Sequence, residues 1–194
     1  QRLLANHPNS SIVHDPRLIW NTQEEVKKNS GVPMLSKAGH SFIKEVMREN
    51  NAIYGGEMSG HIFFADKYYG YDDGLYAAVR LLSHVAGQEY SLATLRDRLP
   101  QPVNTPELRF HCAETRKFEV VEEILERLRA KGADLSDIDG LRVKTDDGWW
   151  LLRASNTQDA LVARCEADNN DGLNRLQEAL VGELMSSGVQ PPKF

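Results

Sequence analysis

Two short stretches concentrate the side chains of this sequence that could do chemistry. The first, Gly55-Gly56-Glu57-Met58-Ser59-Gly60-His61, stands between two short apolar runs. Glycines let a backbone turn sharply and approach a ligand closely. A carboxylate held there can accept hydrogen bonds from two adjacent hydroxyls at once, as a diol presents them, and Ser59 and His61 add polar contacts from the same loop. A tight turn carrying a solvated glutamate has the same composition, and a lone Gly-Gly-Glu does not separate the two. The second stretch, Arg153-Ala154-Ser155-Asn156-Thr157-Gln158, follows the apolar run Trp149 to Leu152. A guanidinium grips an oxyanion through two parallel hydrogen bonds, and hydroxyls, an amide and turn N–H groups add donors. Arg153, Ser155, Asn156 and Thr157 could therefore cradle a phosphate. A Ser-Asn-Thr turn beside an incidental arginine is the competing reading.

Two further loops carry single cations. Lys37-Ala38-Gly39-His40 precedes a predicted helix, whose first N–H groups and dipole favour an anion. Asp15-Pro16-Arg17 follows the first predicted strand, and open α/β sheets bind ligands beyond the carboxyl ends of their strands. Solvated surface loops would account for both as simply. Other combinations lack what their chemistry needs. Asp72-Asp73 and Asp146-Asp147 are explained by helix capping and by a turn, with no third carboxylate or histidine nearby in sequence for a metal. The six histidines include no i,i+4 pair for zinc, and no serine sits in a nucleophile-elbow sequence. Cys112 and Cys165 have no metal-binding spacing and read as buried thiols in strands. Trp149-Trp150 reads as the core and surface positions of one strand rather than as a stacking platform.

The elements that must position these loops follow from periodicity and caps. Ser11-Ile12-Val13-His14 is a β-rich run, and Thr22 and Glu25 have capping-box spacing for a helix that Asn29-Ser30-Gly31 closes. Val32 to Leu35 is the next strand, and residues 41–49 form a helix with Phe42, Ile43, Val46 and Met47 on one side. Ala52-Ile53-Tyr54 and Ile62-Phe63-Phe64 flank the glycine-rich loop as strands, and Asp73 caps a helix through Leu75, Val79 and Leu82 to Gly87. This β-α-β-α-β-β-α order predicts a layered, mixed-sheet α/β domain. Leu99-Pro100-Gln101-Pro102 breaks the pattern and sets the boundary between domains 1–99 and 100–194. The second domain reads as an α+β unit of order β-α-β-β-β-α. Its first helix carries Val120, Val121, Ile124, Leu125 and Leu128, and its last carries Leu173, Leu176, Leu180 and Leu184. Between them lie strands at 141–144, 149–153 and 160–165, the first two joined by the tight-turn signal Asp146-Asp147-Gly148.

Taken together, the loops resemble those of the α-D-phosphohexomutases, over nearly the whole chain. Gly56-Glu57-Met58-Ser59-Gly60-His61 is similar to that family's sugar-binding loop in its third domain, and Arg153-Ala154-Ser155-Asn156-Thr157 to the phosphate-binding loop of its fourth. The order and separation of the two agree, as does the lead-in Asp139-Gly140-Leu141-Arg142-Val143. Val13-His14-Asp15-Pro16-Arg17-Leu18 and Ser36-Lys37-Ala38-Gly39-His40-Ser41 resemble the phosphomannomutase branch, and Met58, where other branches carry glutamine or glutamate, resembles that branch or the dual phosphomannomutase/phosphoglucomutase one. The resemblance implies that Gly56, Glu57, Met58, Ser59 and His61 bind sugar, that Arg153, Ser155, Asn156 and Thr157 bind phosphate, and that Arg17, Lys37 and His40 line the cleft. It implies a TBP-like second domain and, for the full enzyme, interconversion of mannose 6-phosphate and mannose 1-phosphate through a phosphoserine and a bisphosphate intermediate. The catalytic serine motif and the three-aspartate Mg²⁺ loop of that family are absent from this sequence. The resemblance thus assigns no catalytic residue and no metal ligand here, and makes domains one and two of the same protein the partners of this chain. A free-standing, non-catalytic phosphosugar-binding module is the alternative. One departure is Thr157-Gln158-Asp159, where the family has a proline after the loop. It predicts a looser loop exit and an extra negative charge beside the phosphate site.

Composition sets the outer bounds. A net charge of −5 supplies no broad basic surface for nucleic acid, while 41% apolar and 26% charged residues are those of a soluble globular protein. With no long apolar run, no signal peptide and two unpaired cysteines, the expected setting is a reducing cytoplasm without membrane contact. Gln1 is not an initiator methionine and Arg2-Leu3-Leu4-Ala5 reads as the end of a helix already under way, which predicts a fragment or a processed product.

Overall fold

The computed structural model describes residues 2–194, apart from the side chains of residues 19–21; Gln1 lies outside it. The chain divides into two compact units, Gln1–Pro100 and Gln101–Phe194. No helix among the described residues is long and apolar enough to cross a membrane.

The first unit is a four-stranded sheet with helices on both faces. After α1 (Arg2–Asn6) come β1 (Ser11–His14), a 3-10 turn (Pro16–Leu18), α2 (Ile19–Lys28), β2 (Val32–Leu35), α3 (His40–Glu49), β3 (Tyr54–Gly56) and β4 (Ile62–Phe64). Two helices follow, α4 (Gly74–Ala86) and α5 (Leu92–Asp97), the second of which periodicity did not predict. The strand order is β2-β1-β3-β4, parallel except for β4. Alternation along β1 divides the core between the two faces. Val13 packs with Ile43, Met47, Ala52 and Phe63 under α3, while Ile12 packs with Leu4 and Val26 under α1 and α2. Gly55 permits the close approach of α3, because a Cβ there would sit 2.6 Å from Met47 Sδ and 2.8 Å from Ile43 Cγ2.

The capping-box prediction at Thr22 fails. α2 begins four residues earlier, with Leu18 at its N-cap and no side-chain cap, because the turn after β1 already winds the chain into helix. The strand predicted at 52–54 is displaced to Tyr54–Gly56, since Ala52 N–H closes the end of α3 on Met47 O. Asp73 does cap α4, its Oδ1 accepting from Tyr76 N–H at 2.9 Å. Yet none of α4's residues is buried, and Leu75, Val79 and Leu82 are exposed. Its attachment is polar: Arg80 donates to both oxygens of Asp66 at 2.9 Å, lies over the Phe64 ring, and Tyr76 stacks on Tyr68.

The second unit is an antiparallel sheet backed on one face by two helices. Its elements are β5 (Val103–Asn104), β6 (Leu108–His111), α6 (Lys117–Ala130), β7 (Asp134–Ser136), β8 (Leu141–Thr145), β9 (Gly148–Ala154), β10 (Ala160–Ala167) and α7 (Asn170–Ser186). The order is β5-β10-β9-β8-β7, with β6 also paired to β10. The short strands β5 and β7 are additions to the predicted order. Val120, Val121, Ile124, Leu125 and Leu128 of α6 and Leu176, Leu180 and Leu184 of α7 all bury against Leu141, Trp150, Leu152, Leu161 and Cys165. Trp149 corrects the expectation of a surface position. It is fully buried on the other face, where its Nε1 donates to Glu166 and the Arg142 guanidinium lies 4.8 Å from its ring. Burial pushes the Arg142 pKa down to about 10 and the Cys165 thiol up to about 12. Cys112 follows β6 rather than lying in it, and both thiols are buried and unpaired.

The Asp66–Arg80 pair makes the anchoring of α4 pH-dependent. Burial alone would raise the Asp66 pKa, but the hydrogen bonds from Arg80 outweigh it and hold the carboxyl below 3.8. A folded-state pKa below the unfolded one means stability that is present above that range and lost as pH falls through the folded value. Acidification below pH 3.8 therefore releases α4 before the second unit melts, and Asp66→Asn does the same at pH 7. NMR checks this as early loss of helical shifts over 74–86 while β10 resonances persist.

Candidate functional site

In the first unit, three parallel strands bring their carboxyl ends side by side, in the register His14↔Leu35 and His14↔Gly56. The residues that follow each strand therefore meet: Asp15 to Arg17 after β1, Ser36 to Gly39 after β2, and Glu57 and Met58 after β3. Asp15, fully buried, is their hub. Its Oδ1 accepts from Arg17 N–H at 2.8 Å, and its Oδ2 accepts from Arg17 Nε at 3.0 Å, Arg17 Nη2 at 2.5 Å and Met58 N–H at 3.0 Å. One carboxylate thus fixes the arginine and the glycine-rich loop together. Sequence reasoning quoted Asp15 only as part of a turn. An aspartate before proline, whose side chain accepts from the backbone two residues on, was the available signal.

Glu57 is also buried, and its Oε1 accepts from Gly39 N–H at 2.6 Å, with Arg17 Nη2 3.8 Å away. The carboxylate expected to bind a diol also holds the N-terminal end of α3 through Oε1, where the helix dipole favours it. The loop closes on itself through Glu57 N–H to His61 O and Gly60 N–H to Glu57 O, both at 3.0 Å. His61 Nδ1 lies 2.7 Å from Asp72 Oδ2, so Asp72 ties the loop to the segment before α4. Of the predicted residues, Arg17, Glu57, Gly56 and Met58 are brought together here. Lys37, His40, Ser59 and His61 stand at the exposed margin.

In the second unit the predicted phosphate loop joins β9 to β10. Arg153 is the penultimate residue of β9, its Nη1 3.4 Å from Asp139 Oδ2, and its buried Nε has no hydrogen-bond partner. Gly140, at φ 77°, lets the Asp139 turn lie against it, since a Cβ there would sit 2.5 Å from Arg153 Cβ and 2.6 Å from Leu152 O. Ser155 is buried, with Thr157 N–H 3.4 Å from its Oγ, while Asn156 and Thr157 are exposed. A cavity of about 350 Å³ opens beside the loop, apolar at Phe118 and Leu125 and polar at Arg129, Asp139, Arg153 and Asn156.

The expectation of a loose loop exit at Asp159 is wrong. Cys112 N–H donates to Asp159 O at 3.1 Å, Ala160 N–H to Gln158 O at 2.8 Å, and the fully buried Lys117 Nζ to Gln158 O at 3.0 Å. The same ammonium meets Glu114 Oε2 at 2.5 Å and holds that carboxyl below the usual range. Backbone bonds and one buried lysine supply the rigidity that a proline would.

The first unit is a layered α/β sheet with a charged cluster at its strand ends, and the second an antiparallel sheet carrying the half-buried Arg153 on β9. Comparison with known proteins narrows the reading. Residues 1–103 match the phosphoglucomutase/phosphomannomutase α/β/α domain III, and residues 107–183 match the phosphoglucomutase/phosphomannomutase C-terminal domain. The chain belongs to this phosphohexomutase family and covers those two of its domains. It is 39% identical over 189 residues to a phosphoglucomutase of Neisseria gonorrhoeae, covering 96% of this chain and 41% of that protein. It is 36% identical over 182 residues to a phosphomannomutase/phosphoglucomutase of Pseudomonas syringae, covering 94% and 39%. The crystal structure of a phosphoglucomutase/phosphomannomutase family protein of Burkholderia thailandensis superposes with a TM-score of 0.90 at 35% identity, over 99% of this chain and 41% of that one. The chain thus spans about two fifths of the length of the relatives it matches.

The buried Asp15 carboxylate predicts a large single-residue effect. Asp15→Ala leaves Arg17, whose side chain is 10% exposed, without its closest counter-charge, and lowers the stability of the first unit by about 3 kcal/mol. Urea denaturation measures it, and a loss under about 1 kcal/mol would show the pair to behave as a solvated one.

Proposed function

We propose that this chain is the phosphosugar-recognition part of a phosphomannomutase that interconverts mannose 6-phosphate and mannose 1-phosphate. The observation that carries the reading is Arg153: a guanidinium with one long contact to Asp139 and a buried, partnerless Nε, beside the donors Asn156 and Thr157. A phosphate bridging that fork would complete its hydrogen bonds with the geometry guanidinium prefers. Taken by itself, the first unit offers Glu57 and Ser59 to sugar hydroxyls, with Arg17, Lys37 and His40 beside them. Such residues act by positioning and by electrostatic complementarity rather than by a covalent step.

The covalent chemistry belongs, on this reading, to domains one and two of the same protein, where the family carries its phosphoserine and Mg²⁺. Among the described residues no three histidine, cysteine or carboxylate side chains are grouped to hold a metal. The two buried, unpaired thiols accord with a reducing, cytoplasmic setting.

Isothermal titration with mannose 6-phosphate tests the reading. The chain binds with a millimolar dissociation constant, Arg153→Ala weakens binding at least roughly 10-fold, and mannose 1-phosphate is not formed. Equal affinity in the variant, with its fold intact by circular dichroism, would remove the phosphate site from this loop. Turnover by the chain alone would overturn the division of labour.

A further inference from the structure

Lys117 is the only charged residue of α6 that is buried, 0% exposed at the first position of the helix. The core closes without its charge, since Val120, Val121, Ile124, Leu125 and Leu128 supply the apolar side of α6. Burying an ammonium is costly unless partners offset it, so the partners indicate its task. Its Nζ donates to Glu114 Oε2 at 2.5 Å and to Gln158 O at 3.0 Å, and lies 5.1 Å from the Phe118 ring centroid. Glu114 and Phe118 are exposed neighbours at the helix start, and an ion pair with a side chain 60% exposed is worth little. Among the described residues Gln158 O is the partner from elsewhere, 41 residues on, in the loop that follows Arg153.

Short backbone bonds close the base of that loop: Ser155 N–H to Ala160 O at 2.9 Å, Ala160 N–H to Gln158 O at 2.8 Å and Cys112 N–H to Asp159 O at 3.1 Å. Residues 156–159 are all exposed, and the contacts nearer the tip are longer. Thr157 N–H lies 3.4 Å from Ser155 Oγ, and Arg109 Nη1 lies 3.3 Å from Gln158 Oε1. The buried ammonium draws the Gln158 carbonyl inward. In a trans peptide the N–H points opposite to the C=O, so Asp159 N–H is turned outward, and it donates to no described residue. We propose that Lys117 is a positioning residue of this loop. By holding the Gln158 carbonyl inward, it keeps Asn156, Thr157 and the outward N–H of Asp159 in the arrangement that receives the phosphate of a sugar phosphate. The proposal rests on the phosphosugar reading of Arg153. A loop held this way loses little conformational freedom when the anion arrives, whereas a free one must be ordered at that moment.

Two substitutions in the 194-residue chain test it. Lys117→Met keeps an apolar stem and removes the donor. Gln158 O retains Ala160 N–H and Glu114 returns to water, so no buried group is orphaned and the melting temperature stays within about 2 °C. Amide exchange over residues 155–160 then quickens about tenfold while exchange in α7 is unchanged. Mannose 6-phosphate, titrated by calorimetry, binds about tenfold more weakly. Glu114→Gln, which spares the bond to Gln158 O, changes exchange and affinity by no more than about twofold. Unchanged loop exchange in Lys117→Met overturns the proposal, and so does faster exchange with unchanged affinity. An equal loss in Glu114→Gln overturns it by assigning the effect to the charge pair. A melting temperature lowered by more than about 5 °C in Lys117→Met overturns it by assigning the lysine to the core. Absence of binding by the unsubstituted chain removes the phosphosugar reading itself, and loop exchange then decides by itself whether Lys117 orders the loop, so the two failures are read separately.

Discussion

A buried carboxylate with four donors around it governs the first unit. Asp15 sits at the carboxyl end of the central strand with no exposed surface, so its charge must be matched inside the protein. Arg17 supplies the match and Met58 N–H adds the bond that joins the β3 loop to the β1 loop. The parallel register makes this possible by setting His14 level with Gly56. Glu57, the next residue of that loop, then reaches Gly39 and holds the start of α3. A loop rich in glycine would otherwise sample many conformations, and two carboxylates restrict it to one.

The second unit reaches the same end with the opposite sign. Lys117 is a buried cation at the start of α6, and it binds the Gln158 carbonyl, so the helix that packs the core also holds the loop that follows β9. Asp139 and Gly140 shape the other side of that loop around Arg153. Part of each unit's buried charge therefore orients a loop whose exposed side chains are polar. Preorganisation of this kind lowers the ordering cost when a charged ligand binds.

The two units differ in how completely they use their apolar surface. α6 and α7 bury Val120, Ile124, Leu128, Leu176, Leu180 and Leu184 against one sheet face, although Phe118 and Met185 stay exposed. In the first unit α3 turns Ile43, Val46 and Met47 inward but leaves Phe42, expected on the same side, exposed, while α4 turns its leucines out and its arginine in. A bidentate ion pair with aromatic stacking is enough to seat a short helix, which leaves its apolar side exposed.

Much of this was legible without coordinates. Period-3.6 spacing located α6 and α7, and all five apolar positions predicted for α6 are buried. Short β-rich runs bounded by turn residues located β1, β2 and β4, and the two loops carried their family resemblance in their residue types alone. Local sequence determines such features because they depend on neighbours three or four positions away. Tertiary structure decided the rest. Thr22 and Glu25 have the spacing of a cap yet lie within α2, because the turn after β1 had already begun the helix. Asp15 and Met58 are 43 residues apart, Glu57 and Gly39 18, and Lys117 and Gln158 41, and no periodicity records such pairs. The sequence by itself determined most of the elements, though not α5, β5 or β7, and which side chains have the chemistry for an anion or a diol. Only packing decided which of those charged groups are spent on holding the loops and which apolar stripe faces outward, because burial depends on contacts between segments distant in the chain.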